Sequence, residues 1–305
     1  MDLLTIIRQC HNDDPWSDSS LTPFFLNQPP QGIQIGFLPA IVVEAIRDDV
    51  QQKRTDAFCL SQDGKSIWIN DSLKTNKDKT EGLKKVVESW RDRNIFPDPL
   101  KGWRNELYSI YGPDRKEAFA LERSACALFG VATFGVHATA YTSDYKIWVP
   151  KRAHDKSTWP GYLDNSVAGG ITAGDSPYDS MVRECGEEAG MEESLVRSTM
   201  KQNGVISYFY RTPLGWRQPE VEYTYDILVP EHFQPKPVDG EAESFELMEI
   251  EQVLPLMKQG KFKPNCALVL IDFLIRHGFL TMENCDCDYV KLICSLHNDL
   301  RLPGP

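Results

Sequence analysis

No stretch of this chain is long and apolar enough to span a bilayer. Its longest apolar run, residues 267–280, is broken by Asp272, Arg276 and His277 and reads as a packed helix. A positive balance is lacking too: 44 acidic against 33 basic side chains give a formal charge of −11. A nucleic-acid binder needs a basic surface to displace counterions, so that role is excluded, and no membrane partner is expected. An anionic small molecule stays admissible, because bound metal and a few local cations outweigh a global field. Internal repeats and low-complexity tracts are absent. The opening MDLLTIIRQC has neither a basic start nor a long apolar run, so no secretory signal is expected and the cytoplasm is the expected compartment. Eight cysteines are scattered along the chain, a usage that fits reduced thiols. Cys285, Cys287, Cys294 and His297 hint at soft-metal ligation, but their spacing matches no zinc pattern.

What is present is enough for a substantial fold. A chain of 305 residues carries two cores, or one domain with a large extension. Residues 1–125 read as an α+β unit. Within it, 38–48 and 80–93 have helical periodicity, and 55–60 and 66–70 are strands joined by a Gln-Asp-Gly turn. Residues 95–112 suggest a loop feeding another helix. From residue 126 the pattern changes to a mixed α/β layout over 126–305. Strands are expected at 131–142, 146–150, 204–211, 221–229 and 244–248, with helices at 250–258 and 264–277.

The most informative segment is GGITAGDSPYDSMVRECGEEAGM, residues 169–191. Ser176 is a natural N-cap, Pro177 suits the first helical position, Asp179 lies three residues past the cap, and Gly190 can close the helix in the left-handed conformation. At about 100° per residue, with Arg183 at zero, Glu187, Glu184 and Glu188 fall near 40°, 100° and 140°. Tyr178, Met181, Val182, Cys185 and Ala189 fall near 160° to 260°, an adjoining apolar stripe. One face can pack on a sheet while the next presents three carboxylates. Most helical charge runs are only solvated faces. Here, however, Glu184 and Glu188 form a like-charged i,i+4 pair with no lysine between, and a bound cation would reverse its cost. Gly186 inside the helix is a further oddity for a plain surface helix.

The spacing Gly169, Asp175, Arg183-Glu184, Glu187-Glu188 and Gly190 resembles the Nudix box, the motif of hydrolases of diphosphates linked to another moiety. Asp175 stands where that family has glutamate, and Cys185 where a bulky aliphatic residue is usual. Further identities, Gly135-Val136-His137, Trp148-Val149-Pro150-Lys151-Arg152, Trp159-Pro160-Gly161, Leu163-Asp164 and Val167-Ala168-Gly169-Gly170, are similar to one Nudix subgroup. In it an N-terminal extension of about this length precedes the Nudix domain. It occurs in fungal and plant proteins, in some fungi fused to thiamin pyrophosphokinase. The chain ends at Pro305 with no kinase region, so the stand-alone form is expected.

The resemblance implies an N-terminal α+β domain followed by an α/β/α sandwich, with Mg2+ or Mn2+ as cofactor and a small-molecule diphosphate as partner. Subgroup members are associated with removing phosphate from oxidised forms of thiamin diphosphate. By the same resemblance Glu187 and Glu188 are ligands, Glu184 is a ligand or water-orienting base, and Arg183 steers a glutamate. Gly169, Gly170 and Gly174 shape the loop beside the substrate. A further carboxylate is expected from residues 238–245, with Glu241 preferred over Glu243 as ligand or base. Lys151 and Arg152, with Lys156 and His154 nearby, are candidates to ground the terminal phosphate, against a solubilising role. Trp159 and Tyr208 are candidates to stack on an aromatic ring, against a core role. His137, inside an apolar strand, reads as a satisfied core histidine.

Overall fold

The computed structural model describes residues 1–156 and 158–305. Helix α1 (Leu3–Cys10) is capped by Asp2, whose carboxylate accepts the Thr5 N–H at 2.7 Å. Then follow β1 (Thr22–Phe25), β2 (Gln34–Leu38), α2 (Ala40–Gln51), β3 (Phe58–Leu60) and β4 (Ile67–Ile69). The four strands form one sheet in the order β2-β1-β4-β3, with β1 and β4 parallel and the other pairs antiparallel. Helix α3 (Asn76–Asp92) begins at a capping box between Thr75 and Asp78 and lays Leu83, Val86, Val87 and Trp90 into the core beneath that sheet. The single turn α4 (Pro97–Leu100), the hairpin of β5 (Leu107–Tyr111) and β6 (Glu117–Glu122), and the short α5 (Cys126–Phe129) complete the region.

The second region is a sandwich. Strands β7 (Thr133–Tyr141), β8 (Ile147–Arg152) and β9 (Val167–Gly170) precede helices α6 (Pro177–Ala189) and α7 (Glu193–Thr199). The long β10 (Met200–Arg211), β11 (Arg217–Leu228) and β12 (Ala242–Met248) follow, then α8 (Ile250–Lys258), α9 (Pro264–Arg276) and α10 (Tyr289–Leu296). The sheet runs β10-β11-β7-β8-β12, and β9 pairs with β7. Alternation of side chains along β7 and β11 splits the core in two. Val136, Ala138, Ala140, Tyr225 and Ile227 face α6 and α7, whereas Ile147, Ile206 and Tyr208 lie with α9 and α10 on the opposite side. Helix on sheet on helix is the expected α/β/α arrangement.

One expectation needs correction. The segment 95–112 does not feed a helix. Helix α4 is a single turn of four residues, Pro97–Leu100, and Leu107–Tyr111, rich in aromatic and β-branched side chains, pairs antiparallel with β6. Helix α1 packs in the core of the second region. Its stripe of Leu3, Leu4, Ile6, Ile7 and Cys10 is buried with Leu268, Ile271 and Leu292 of the second region. Short amphipathic helices are stable only where something covers their apolar face, and that cover is supplied from the far end of the chain. No described helix is long and apolar enough to cross a membrane.

Candidate active site

Local chemistry sets α6. The Ser176 hydroxyl accepts the Asp179 N–H at 3.0 Å, Pro177 opens the helix, and Gly190 at φ 62° ends it. Met181, Val182, Cys185 and Ala189 are buried against β7 and β9. Each such side chain contributes about 1.5–3 kcal/mol, far more than the few tenths that like charges cost, so packing fixes the helix rotation. That rotation turns Glu184 and Glu188 toward β9 and leaves Glu187 outward, with 55% of its side chain exposed. All three carboxylates sit in the C-terminal half of α6, where the helix dipole is negative and a cation is the natural complement.

Glu184 is the most constrained. Its side chain is only 13% exposed, and Arg183 Nη1 lies 2.9 Å from its carboxylate and 2.8 Å from that of Glu187. Burial pushes its carboxyl up to about 6, against the pull of Arg183. Gly169 is what makes room: a β-carbon there would lie 2.2 Å from Glu184 Cδ. Asp175 stands 4.0 Å from Arg183 Nε and is half-exposed, so its charge reaches the cluster only through that arginine.

Glu188 forms the second centre. Its carboxylate accepts the Ala168 N–H at 2.9 Å, and burial raises its pKa well above the ordinary range despite that bond. Oxygens of Glu188, Asp239 and Glu241 all lie within 4.8 Å of one another. Glu188 and Glu241 edge a narrow cleft of about 20 Å3, also lined by Arg152, Asp164, Asn165, Ser166 and Phe245, room for one water-sized species. Burial acts to raise Glu241, but its ion pair with Lys156 at 2.6 Å, helped by Arg104 and Arg152, holds it low. This donor set, hard carboxylate oxygens with one member already desolvated, fits Mg2+ or Mn2+.

The remaining candidates separate. Glu243 is turned away, pairing with Lys151 at 3.1 Å and accepting the His154 N–H. Lys151 is thereby tied to the surface. Arg152 is buried, paired with Asp164 and donating to the carbonyls of Thr158 and Trp159. The reading of Arg152 as a phosphate anchor gives way to an internal tie, since a buried guanidinium needs an anion and acceptors of its own. Trp159 meets Tyr162 edge-on at 5.0 Å. Tyr208 is a core residue bonded to Glu220 and Glu222, and His137 is a buried one between Asn165 and Glu222. Cys285 and Cys287 lie 3.4 Å apart and, with Asp286, offer ligand atoms within 4.8 Å of one another, while His297 bonds the Val205 carbonyl.

Sequence reasoning missed Asp239, although it shares a loop with Glu241 and accepts that residue's N–H at 2.8 Å. It also missed the contribution of the first region. The Leu107 carbonyl accepts the Ala173 N–H at 2.8 Å, Glu106 faces the Thr172 hydroxyl at 3.5 Å, and Tyr108 lies on Gly170. A β-carbon at Gly170 would sit 1.8 Å from the tyrosine oxygen. Strand β5 and its approach thus clamp the glycine strand and the loop that leads into α6. No periodicity marks a contact of this kind.

Residues 133–267 match the family model of the NUDIX domain, and residues 2–133 match one described as a domain of unknown function (DUF4743). The uncharacterized protein YJR142W of Saccharomyces cerevisiae is 38% identical over 221 residues, covering 68% of this chain; the match spans 64% of the yeast protein, less than two thirds of its length. Nudix hydrolase 20, chloroplastic, of Arabidopsis thaliana is 35% identical over 306 residues, covering 93% of this chain and 80% of the relative. The solved structure of DR0079 from Deinococcus radiodurans overlays on 54% of this chain and 97% of its own, at 20% identity and a TM-score of 0.42. Because that Arabidopsis relative is 35% identical over 93% of this chain and residues 133–267 match the NUDIX domain model, the chain belongs to the Nudix hydrolase family.

Proposed function

We propose that this chain is a metal-dependent pyrophosphohydrolase that removes a phosphate from oxidised thiamin diphosphate analogues and releases monophosphates. The observation that carries the reaction class is the convergence of Glu188, Asp239 and Glu241 oxygens within 4.8 Å beside a narrow cleft. Glu188 and Glu241, with Glu184 and Glu187 on the same helix turn, would hold Mg2+ or Mn2+. Bound there, the cation would neutralise charge on the diphosphate and acidify an attacking water.

The side chains divide the remaining work. Glu184 serves either as a ligand or as the base that orients the attacking water, and its carboxyl, raised by burial to about 6, suits the second role wherever the cation leaves it free. Arg183 holds Glu184 and Glu187 apart and in register. Lys156 keeps the Glu241 carboxylate ionised and aimed at the cleft. For the organic half, support comes from the sequence similarity of residues 135–170 to the subgroup associated with thiamin diphosphate repair. Cytoplasmic placement belongs to the same proposal.

A phosphate-release screen with Mg2+ and Mn2+ tests it, comparing oxidised thiamin diphosphates with nucleotide-sugar, dinucleotide and coenzyme A substrates. Preference for a nucleoside diphosphate derivative would remove the substrate claim and keep the reaction class. Turnover unchanged in both Glu187→Gln and Glu188→Gln would remove the site. A parent protein that binds these compounds without turnover would be a ligand-binding module, a reading that the retained carboxylates disfavour.

A further inference from the structure

The cations that the sequence singles out beside the carboxylates are already committed. Arg183 serves Glu184 and Glu187, Arg152 serves Asp164, Lys156 serves Glu241, and Lys151 serves Glu243. A diphosphate entering this acidic site needs a positive partner with unfilled hydrogen-bonding capacity. The approach of β5 to the glycine strand brings one from the other region. Arg123 Nη1 is held by Glu106 at 2.9 Å, and its guanidinium lies 5.3 Å from the centre of the Tyr108 ring. Its Nε and Nη2 take part in no hydrogen bond among the described residues, and 38% of the side chain is open to solvent. Tyr108 is more than nine-tenths buried, yet its hydroxyl, lying on Gly170, makes no hydrogen bond among the described residues.

We propose that Arg123 and Tyr108 of the N-terminal region form a phosphate-binding subsite of the Nudix centre, so that the diphosphate is gripped from both regions at once. Glu106 orients the guanidinium by occupying one nitrogen, and the free edge presents two parallel N–H donors, the fork that fits a phosphate. The Tyr108 hydroxyl, packed on Gly170, supplies a further donor one residue along β9 from Gly169, the glycine that meets Glu184. This deepens the diphosphate-hydrolase reading and rests on it.

Calorimetry on the full chain with Mg2+ and methylenediphosphonate, which is not hydrolysed, tests the subsite independently of turnover. Arg123→Gln is expected to weaken binding about 10- to 100-fold, Arg123→Lys to recover part of that, and Tyr108→Phe to weaken it about 3-fold. Glu106→Gln breaks the same ion pair but keeps the guanidinium, and is expected to retain most of the affinity. Equal losses in the Arg123 and Glu106 variants would mark the pair as a strut and overturn the proposal. Unchanged affinity in Arg123→Gln, or no binding by the parent, would overturn it as well. Arg123-dependent binding in a protein that hydrolyses none of the screened diphosphates would refute the reaction and leave the subsite standing.

Discussion

Helix α3 carries Lys77, Lys79, Glu81, Lys84, Lys85 and Glu88 around a buried stripe of Leu83, Val86, Val87 and Trp90, whereas α6 carries Glu184, Glu187 and Glu188 beside Met181, Val182 and Cys185. Both begin at a side-chain N-cap, Thr75 in one and Ser176 in the other, and both bury one face against a sheet. The charges of α3 mix both signs, with Glu81 four residues before Lys85 and Lys84 four before Glu88, and most of them are exposed. Those of α6 share one sign, and two of the three are turned inward over a glycine strand. The difference teaches that desolvation is what sets a candidate site apart from an ordinary charged helix. Gly169 admits the Glu184 carboxylate, the Ala168 N–H fixes that of Glu188, and the loop bearing Asp239 and Glu241 closes over it.

The comparison breaks most sharply at Glu188. Glu188→Gln is expected to lower kcat/KM on the order of 1000-fold, measured with the best diphosphate found in the screen. Glu81→Gln on α3 serves as the matched control and should change it less than about 2-fold. Equal effects would show that α6 is only another solvated face. Gly169→Ala comes next. Its new methyl meets the movable end of Glu184 and not backbone, so the helix should stay folded while kcat falls about 100-fold. Gly170→Ala meets the buried Tyr108 ring and is expected instead to cost about 1–3 kcal/mol in stability.

Charge burial gives a third distinction, in pH. The carboxyl of Glu184 rises from 4.5 to about 6 on folding, so the folded chain holds this proton more tightly than the unfolded one. Its stabilising contribution is full below about 4.5 and is lost as pH climbs through about 6. In the metal-free protein that loss amounts to roughly 2 kcal/mol. Glu184→Gln should therefore raise the metal-free Tm at pH 8 by a few degrees and leave it unchanged at pH 4.5. A lower Tm at pH 8 would sink this account of the site. The smallest effect is reserved for Gly186. A β-carbon there would find only the Met191 carbonyl at 3.9 Å, and nothing in the structure explains the glycine. Gly186→Ala is expected to add about 0.5–1 kcal/mol in chemical denaturation.

Much of this was legible in the chain. The cap at Ser176, the left-handed Gly190, the apolar stripe and the arc of glutamates follow from short-range geometry, and α8 and α9 begin and end within a residue of where their periodicity puts them. Strands β7, β8, β10, β11 and β12 were visible as alternating or β-branched runs. Strand β5 was read as part of a loop feeding a helix, and α1 was given no element, because its short apolar stripe is covered only by partners far along the chain. Arg152 and Arg183 look alike as sequence symbols. One is a buried tie and the other a clamp on two carboxylates, and only burial distinguishes them.

The order of residues along the chain alone settled which side chains share a helical face, since 3.6 residues per turn leave no freedom there. It could not decide which of those carboxylates lose their water, that Asp239 would join Glu241 beside Glu188, or that β5 would lie against Gly170. Those outcomes depend on contacts between residues tens of positions apart. Such contacts follow from how whole layers pack, because desolvation is a property of the assembled surroundings and of no single segment.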